Sequence, residues 1–213
     1  MTPEYYKKRI KHLERSNKNL RKSLHKINYE IVNLLQGVFS IMDGHTNSHS
    51  DRVAHYAIII AKNIENITEE INHEAMCFHD LGKIGVPHEI LLKPEKLTED
   101  EYLQIKDHTI IGSKIVSKIK SFHKNIDVIK FHHERWDGNG YPQGLKGEDI
   151  PLAARILAVA DAFDAMTSDR PYRKKKSAEE AKEEIIRNAG TQFDPDVVNA
   201  FLKSWEELEK RSN

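Results

Sequence analysis

With 213 residues and 33 Lys plus Arg against 33 Asp plus Glu, the chain is long enough for one large domain with an extension and carries no formal net charge. That balance argues against a nucleic-acid polymer as partner, since such binders show a basic excess. A single cysteine, Cys77, excludes a disulfide framework and a thiolate zinc site, and no apolar run approaches the ~20 residues of a membrane span.

The start of the chain is polar and charged, without the apolar centre of a signal peptide, so the expected location is cytoplasmic. Ile10, Leu13, Asn17, Leu20, Leu24, Ile27, Ile31, Leu34, Val38 and Ile41 recur at alternating steps of three and four. This is an a/d seam, with Asn17 as a polar position that can set register. Residues 1–33 are therefore expected to form a coiled-coil-like helix that makes a homodimer or transmits a signal. Residues 34–213 form the main domain, with Leu34 to Ile41 already joining its core. The competing reading is an amphipathic helix packed on its own domain.

Helices are expected through the rest of the chain. Asn47-Ser48 leads into one running through "VAHYAIIIAKNI", and Thr68 starts another that reaches His79-Asp80 near its end. Thr98 with Glu101 and Ser177 with Glu180 have the spacing of capping boxes. Asp194-Pro195 reads as an N-cap followed by proline at the first helical position. Strand-like alternation is nearly absent, which makes the fold class all-α. The glycine-rich stretch from Gly138 to Pro151 is expected to be a long surface loop, and loops of that length are often functional.

Twelve histidines are present, and their placement is informative. His49, His79, His108, His132 and His133, with Asp80 and Asp161, lie in separate predicted helices or at their ends. A lone helix histidine is usually an ordinary polar residue. Asp161, however, is flanked by Ile156, Leu157, Val159, Ala160, Ala162 and Phe163, and a buried carboxylate needs a cation, a metal or a hydrogen-bond cluster. Imidazole with carboxylate suits zinc, iron, manganese or nickel. Seven ligands exceed one tetrahedral site and suit two metals, with Asp80 as the bridge.

The strings "HDLGKIG", "HHERWDGNGYP", "ARILAVADAFDAMTSDRPYR" and "GTQFDP" resemble, in order and spacing, the HD-GYP domain, a branch of the HD phosphohydrolases. The resemblance runs from about Asp43 to the C-terminus. It implies an HD-domain helical bundle and a bacterial signalling phosphodiesterase that hydrolyses cyclic di-GMP to pGpG, with GMP as the product of a second cleavage. It implies the same seven metal ligands, and two or three divalent ions, iron or manganese ahead of nickel or zinc. Lys83 matches the lysine near the bridging ligand and the substrate phosphate, so Asp80 and Lys83 are the expected catalytic residues. Tyr141 belongs to the GYP signature, and Arg170 and Arg173 match positions that contact the dinucleotide. Family members with a third metal carry glutamate four residues before the first histidine ligand. Here that residue is His45, a further candidate ligand.

Through the resemblance, the expected reaction uses a hydroxide held between metals, with Lys83 stabilising phosphoryl charge. Trp136 is expected either to stack on a base or to pack on the domain, and Cys77 and Ser168 to be structural. Four other readings compete. They are a non-catalytic cyclic-dinucleotide-binding module, a phosphodiesterase for another cyclic dinucleotide, a nucleotide phosphohydrolase of the wider HD group, and a di-iron redox protein. An upstream sensor partner is also expected.

Overall fold

The structure is a computed structural model and describes residues 3–43, 48–65, 67, 71, 73–169 and 174–212. The helices in chain order are α1 (Pro3–Asp43), α2 (Ser48–Ala61), α3 (His73–Cys77), α4 (His88–Leu91), α5 (Glu99–Lys106), α6 (His108–Val116), α7 (Ile126–Phe131), α8 (Leu152–Thr167), α9 (Ala178–Arg187), α10 (Pro195–Lys203) and α11 (Trp205–Ser212). No strand occurs among the described residues; Ala189 and Phe193 form an isolated bridge. The all-α expectation holds.

Two helices make the centre. Val53, Ala57 and Ile60 of α2 and Ile156, Ala160 and Phe163 of α8 recur at helical spacing and are fully buried. Alanines on both helices let the backbones approach, and the two pack against each other. Tyr56 and Phe201 meet Phe163 edge-on at 5.2 and 5.4 Å between ring centres. This pair of helices is the platform on which the other helices deliver their polar ends.

The predicted starts of three helices are observed. Thr98 Oγ1 accepts from the Glu101 N–H, and the Thr98 N–H donates to Glu101. Ser177 and Glu180 exchange the same pair of bonds. Asp194 accepts from the Asp196 N–H at 2.8 Å, with Pro195 as the first helical residue. The expected start at Thr68 lies outside the described residues.

Two expectations need correction. The helix bearing His79-Asp80 ends earlier than predicted, at Cys77; after a turn, Asp80 caps a separate 3₁₀ turn, Leu81–Gly85. The cause is a close backbone crossing. A Cβ at Gly82 would collide with the His108 carbonyl oxygen, so the segment lies directly on α6. Leu34 was expected in the domain core, yet it is 68 % exposed and continues the exposed stripe of Ile10, Leu13, Leu20, Leu24, Ile27 and Ile31. Helix α1 also packs against α3, α4 and the 3₁₀ turn. Among the described residues, no helix is long and apolar enough to cross a membrane.

The 138–151 segment is a loop with one 3₁₀ turn, Gly147–Asp149, and a cis Tyr141–Pro142 bond. Its shape comes from buried Glu134, whose carboxylate accepts from the N–H groups of Gln143, Gly144 and Leu145 at 2.7–3.1 Å. Gly140 lies against the Glu134–Arg135 backbone, where a Cβ has no room. The far side docks on "GTQFDP": the N–H of Trp136 donates to Gln192 O and that of Asp137 to Thr191 O, at 3.2 and 2.8 Å. Arg155 lies over Trp136 and pairs with Asp194, which packs Trp136 against the domain.

Candidate metal centre

All seven residues predicted as ligands converge. One group comprises Asp80, His108, His132 and His133, and the other His49, His79 and Asp161, each with one donor atom within 4.8 Å of the others in its group. Helix α2 supplies His49 from its first turn, the turn after α3 supplies His79 and Asp80, α6 starts with His108, the turn after α7 carries His132 and His133, and α8 presents Asp161.

The rings are aimed by their outer nitrogens. Nδ1 of His79, His108 and His132 each lies 2.7–2.9 Å from the carbonyl oxygen three residues earlier, of Met76, Ile105 and Ile129. A carbonyl can only accept, so each Nδ1 carries the proton and each Nε2 turns a lone pair inward. This repeated bond explains why the histidines stand at helix ends or just beyond them, where the earlier carbonyls are available.

The inner donors are spaced as ligands are. His49 Nε2 to Asp161 Oδ1 is 3.4 Å; His108 Nε2 to Asp80 Oδ1, His108 Nε2 to His132 Nε2 and His79 Nε2 to Asp80 Oδ2 are each 3.5 Å. Those separations are long for hydrogen bonds. They equal the roughly 3.4 Å edge of a tetrahedron with metal–ligand bonds of about 2.1 Å. Among the described residues, His79 Nε2 is buried without a hydrogen-bond partner, an arrangement that is costly unless a cation takes the lone pair. The residues therefore fit divalent metal ions. Asp80 directs Oδ2 toward His49 and His79 and Oδ1 toward His108, so its carboxylate spans the two groups.

The electrostatics agree with a ligand set. Burial drives His108 and His132 below the ordinary imidazole range, and pushes His133 down to about 4, which keeps these rings neutral. Burial opposes the ionisation of Asp80, but Lys83 and the surrounding histidines outweigh it and hold the carboxyl well below its usual range. Lys83 Nζ donates to Asp80 Oδ2 at 2.7 Å. The two residues meet through the 3₁₀ turn, in which positions three apart eclipse.

Asp164 carries out what the sequence argument assigned to Asp161. Asp161 lines the centre with its side chain 23 % exposed, whereas Asp164 is fully buried. Asp164 lies 2.7 Å from His49 Nδ1 and accepts two bonds from the Arg52 guanidinium, while Ser168 Oγ bridges Arg52 and Asp164. Burial lowers His49's hold on a proton, but the bond to Asp164 and the charges of Asp161 and Asp80 raise it overall. "ADAFDAM" contains both aspartates; the same burial argument, applied to each carboxylate in α8, would have found Asp164. Glu134 gave no comparable signal, since its partners are loop backbone.

Tyr141 stacks on His133, with ring centres 4.8 Å apart, and Lys106 Nζ lies 5.3 Å from the Tyr141 ring centre. Burial raises the Tyr141 phenol, which stays protonated. Cys77 is buried beside the Ser50 carbonyl. His45, Arg170 and Arg173 lie outside the described residues.

A family model described as the HD domain matches residues 33–197. A cyclic di-GMP phosphodiesterase of Thermotoga maritima is 43 % identical over 185 residues, covering 84 % of this chain and 50 % of that protein. The cyclic di-GMP phosphodiesterase response regulator RpfG of Xanthomonas campestris is 40 % identical, with 85 % and 49 % covered. A 3'3'-cGAMP-specific phosphodiesterase of Vibrio cholerae is 33 % identical, with 90 % and 38 % covered. The chain thus spans half or less of the length of these relatives. Among solved structures, a cyclic GMP-AMP-specific phosphodiesterase of V. cholerae has the same fold, with a TM-score of 0.63 at 20 % identity over 85 % of this chain and 52 % of that one.

Proposed function

Because the chain belongs to the HD domain family, we propose that it is a metal-dependent phosphodiesterase of the HD-GYP type that hydrolyses cyclic di-GMP to pGpG, with GMP as the product of a second cleavage. The observation that carries this reading is the gathering of seven candidate donor residues into two groups that the Asp80 carboxylate spans, with the buried His79 Nε2 turned inward and without a hydrogen-bond partner among the described residues. The names of the relatives supply the substrate class.

His49, His79 and Asp161 would hold one ion and His108, His132 and His133 the other, with Asp80 shared. We favour two ions, iron or manganese; His45 is the residue that would take a third ion in the alternative three-metal reading. Bound divalent ions acidify water and neutralise phosphoryl charge, which is the chemistry phosphodiester hydrolysis needs. The protein residues orient and select. Lys83 holds the Asp80 carboxylate and brings positive charge to the edge of the centre, where it faces a phosphoryl oxygen. Tyr141, fixed on His133, offers a ring face and a neutral hydroxyl to the dinucleotide. Arg170 and Arg173 are assigned to its phosphates, for which the guanidinium fork is suited.

Residues 1–33 form the dimerising segment in this reading and 34–213 the HD-GYP unit. The exposed apolar stripe of α1 supports a second copy of the chain as its partner. An upstream sensor would act through the same helix.

The test is a product assay. Protein purified without oxygen is loaded separately with iron(II) and manganese(II), given cyclic di-GMP, and the products are separated by ion exchange beside the Asp80→Ala variant. Formation of pGpG or GMP by the unsubstituted chain alone is the expected result. No turnover in either metal form with cyclic di-GMP still bound would turn the reading to a binding module. A second reading, another cyclic dinucleotide, rests on the relatives specific for 3'3'-cGAMP; turnover of that compound alone would establish it.

A further inference from the structure

Outside the centre, a second constellation joins α2 to α3. Asp51 and His55 stand one turn apart on α2, and His73 opens α3. His73 Nε2 lies 3.2 Å from Asp51 Oδ1 and 3.4 Å from His55 Nδ1, and His55 Nδ1 lies 3.4 Å from Asp51 Oδ2. The His55 and His73 rings meet edge-on with centres 4.7 Å apart. All three residues present one donor atom within 4.8 Å of the others.

We propose that Asp51, His55 and His73 form an auxiliary site for a zinc-type divalent cation, separate from the seven-residue centre, that ties α2 to α3. Two imidazoles and a carboxylate are the donor set of a borderline cation, with water in the fourth position. Their spacing matches the roughly 3.4 Å ligand–ligand edge of a tetrahedral site with bonds of about 2.1 Å. The back of the His73 ring is also held: Cys77 Sγ lies 3.7 Å from His73 Nδ1, leaving Nε2 toward Asp51. His55 Nδ1 lies 2.8 Å from the Asp51 carbonyl oxygen and carries the proton in that bond. Binding therefore moves the His55 proton to Nε2 and replaces the bond to the carbonyl with one to the cation. The side chains of Asp51 and His55 are 48 % and 40 % exposed, so an ion enters from solvent.

The site has a structural consequence. Helix α2 presents His49 and α3 leads into His79 and Asp80, so a cation between them fixes the relative position of two elements that supply the main centre. Its own ligands are not shared with that centre, and the inference stands apart from the assignment of cyclic di-GMP.

The test uses zinc alone. The chelator-stripped full chain and its His55→Gln variant are equilibrated with zinc(II) by dialysis and analysed for metal per chain. The variant is expected to hold one ion fewer. Cobalt(II) is then given to a chain carrying His79→Ala and His132→Ala, which disable both groups of the main centre. One equivalent with the intense visible bands of a tetrahedral ion is expected there, lost again when His55→Gln is added. An unchanged zinc count in the His55→Gln chain overturns the proposal. If the disabled chain does not fold, the difference in zinc between the first two proteins decides alone. Absence of cyclic di-GMP turnover leaves both metal readouts intact.

Discussion

At the scale of single residues, the centre depends on what lies behind each ligand. Three histidines rely on backbone carbonyls that no side-chain substitution removes. His49 instead relies on the Asp164 side chain, which is replaceable. Asp164→Asn leaves a neutral amide against Arg52 and loses the charge that favours a proton on Nδ1. Removal of such outer partners typically costs ~10–100-fold in metal affinity or activity, and a loss in this range is expected, with helical content by circular dichroism unchanged. Retention of full metal affinity would place Asp164 outside the support of His49. The position of Asp164 also explains why α8 tolerates a carboxylate in its apolar interior: burial opposes ionisation, but His49 and Arg52 outweigh it and lower its pKa.

At the scale of elements, the loop after α7 has one anchor for many contacts. Glu134 satisfies three consecutive backbone N–H groups just after Tyr141, whose own N–H donates to the His133 carbonyl at 3.2 Å and whose ring stacks on His133. Glu134→Ala orphans the three donors, each a cost of ~1–3 kcal/mol where it stays buried. Faster proteolytic cleavage within 138–151 is expected, with KM for the cyclic dinucleotide raised on the order of tenfold, the equivalent of ~1.4 kcal/mol. A loop as resistant as that of the unsubstituted chain would show that the docking on Thr191 and Gln192 is sufficient. Helix α1 presents the opposite case, an element whose apolar positions Ile10, Leu13, Leu20, Leu24, Ile27, Ile31 and Leu34 are exposed. Removal of residues before Leu34 is expected to convert a dimer to a monomer by light scattering. An unchanged dimer would place the contact elsewhere.

At the scale of the whole molecule, the centre holds three imidazoles, of His108, His132 and His133, that burial keeps neutral inside a folded helical domain. That makes the metal-stripped chain sensitive to acid. His108, His132 and His133 have folded values below the ordinary 6.5, His133 at about 4. As pH falls below 6.5 the unfolded chain binds protons that these folded rings refuse, so stability falls with pH over that window. His49 acts in the other direction: its raised value contributes stability below 6.5 that is lost as pH rises through its folded value. Three rings against one predict a net fall in the melting temperature of the stripped chain from pH 6.5 toward 4. A melting temperature that rises across this window would contradict the burial of those rings. Loading with metal is expected to raise the melting temperature near neutrality, since a cation that binds only the folded state stabilises it by mass action.

The helical class, three helix starts, the long loop and the seven residues that gather at the candidate centre are all legible in the sequence. Each of these is written in local pattern: spacing of apolar residues, a hydroxyl three places before a glutamate, glycines in a cluster, or a polar group where apolar neighbours demand a partner. The folded arrangement of the helices sets how these seven residues divide between two groups, which carboxylate of α8 is buried, why the helix before Asp80 stops early, and that Leu34 lies outside the core. It also brought Asp51 and His55 to His73. None of these is local, because each depends on which backbone crosses which. Gly82 breaks the helix course because α6 lies against it, and Asp164 is charged at no loss because Arg52, far away in the chain, arrives beside it.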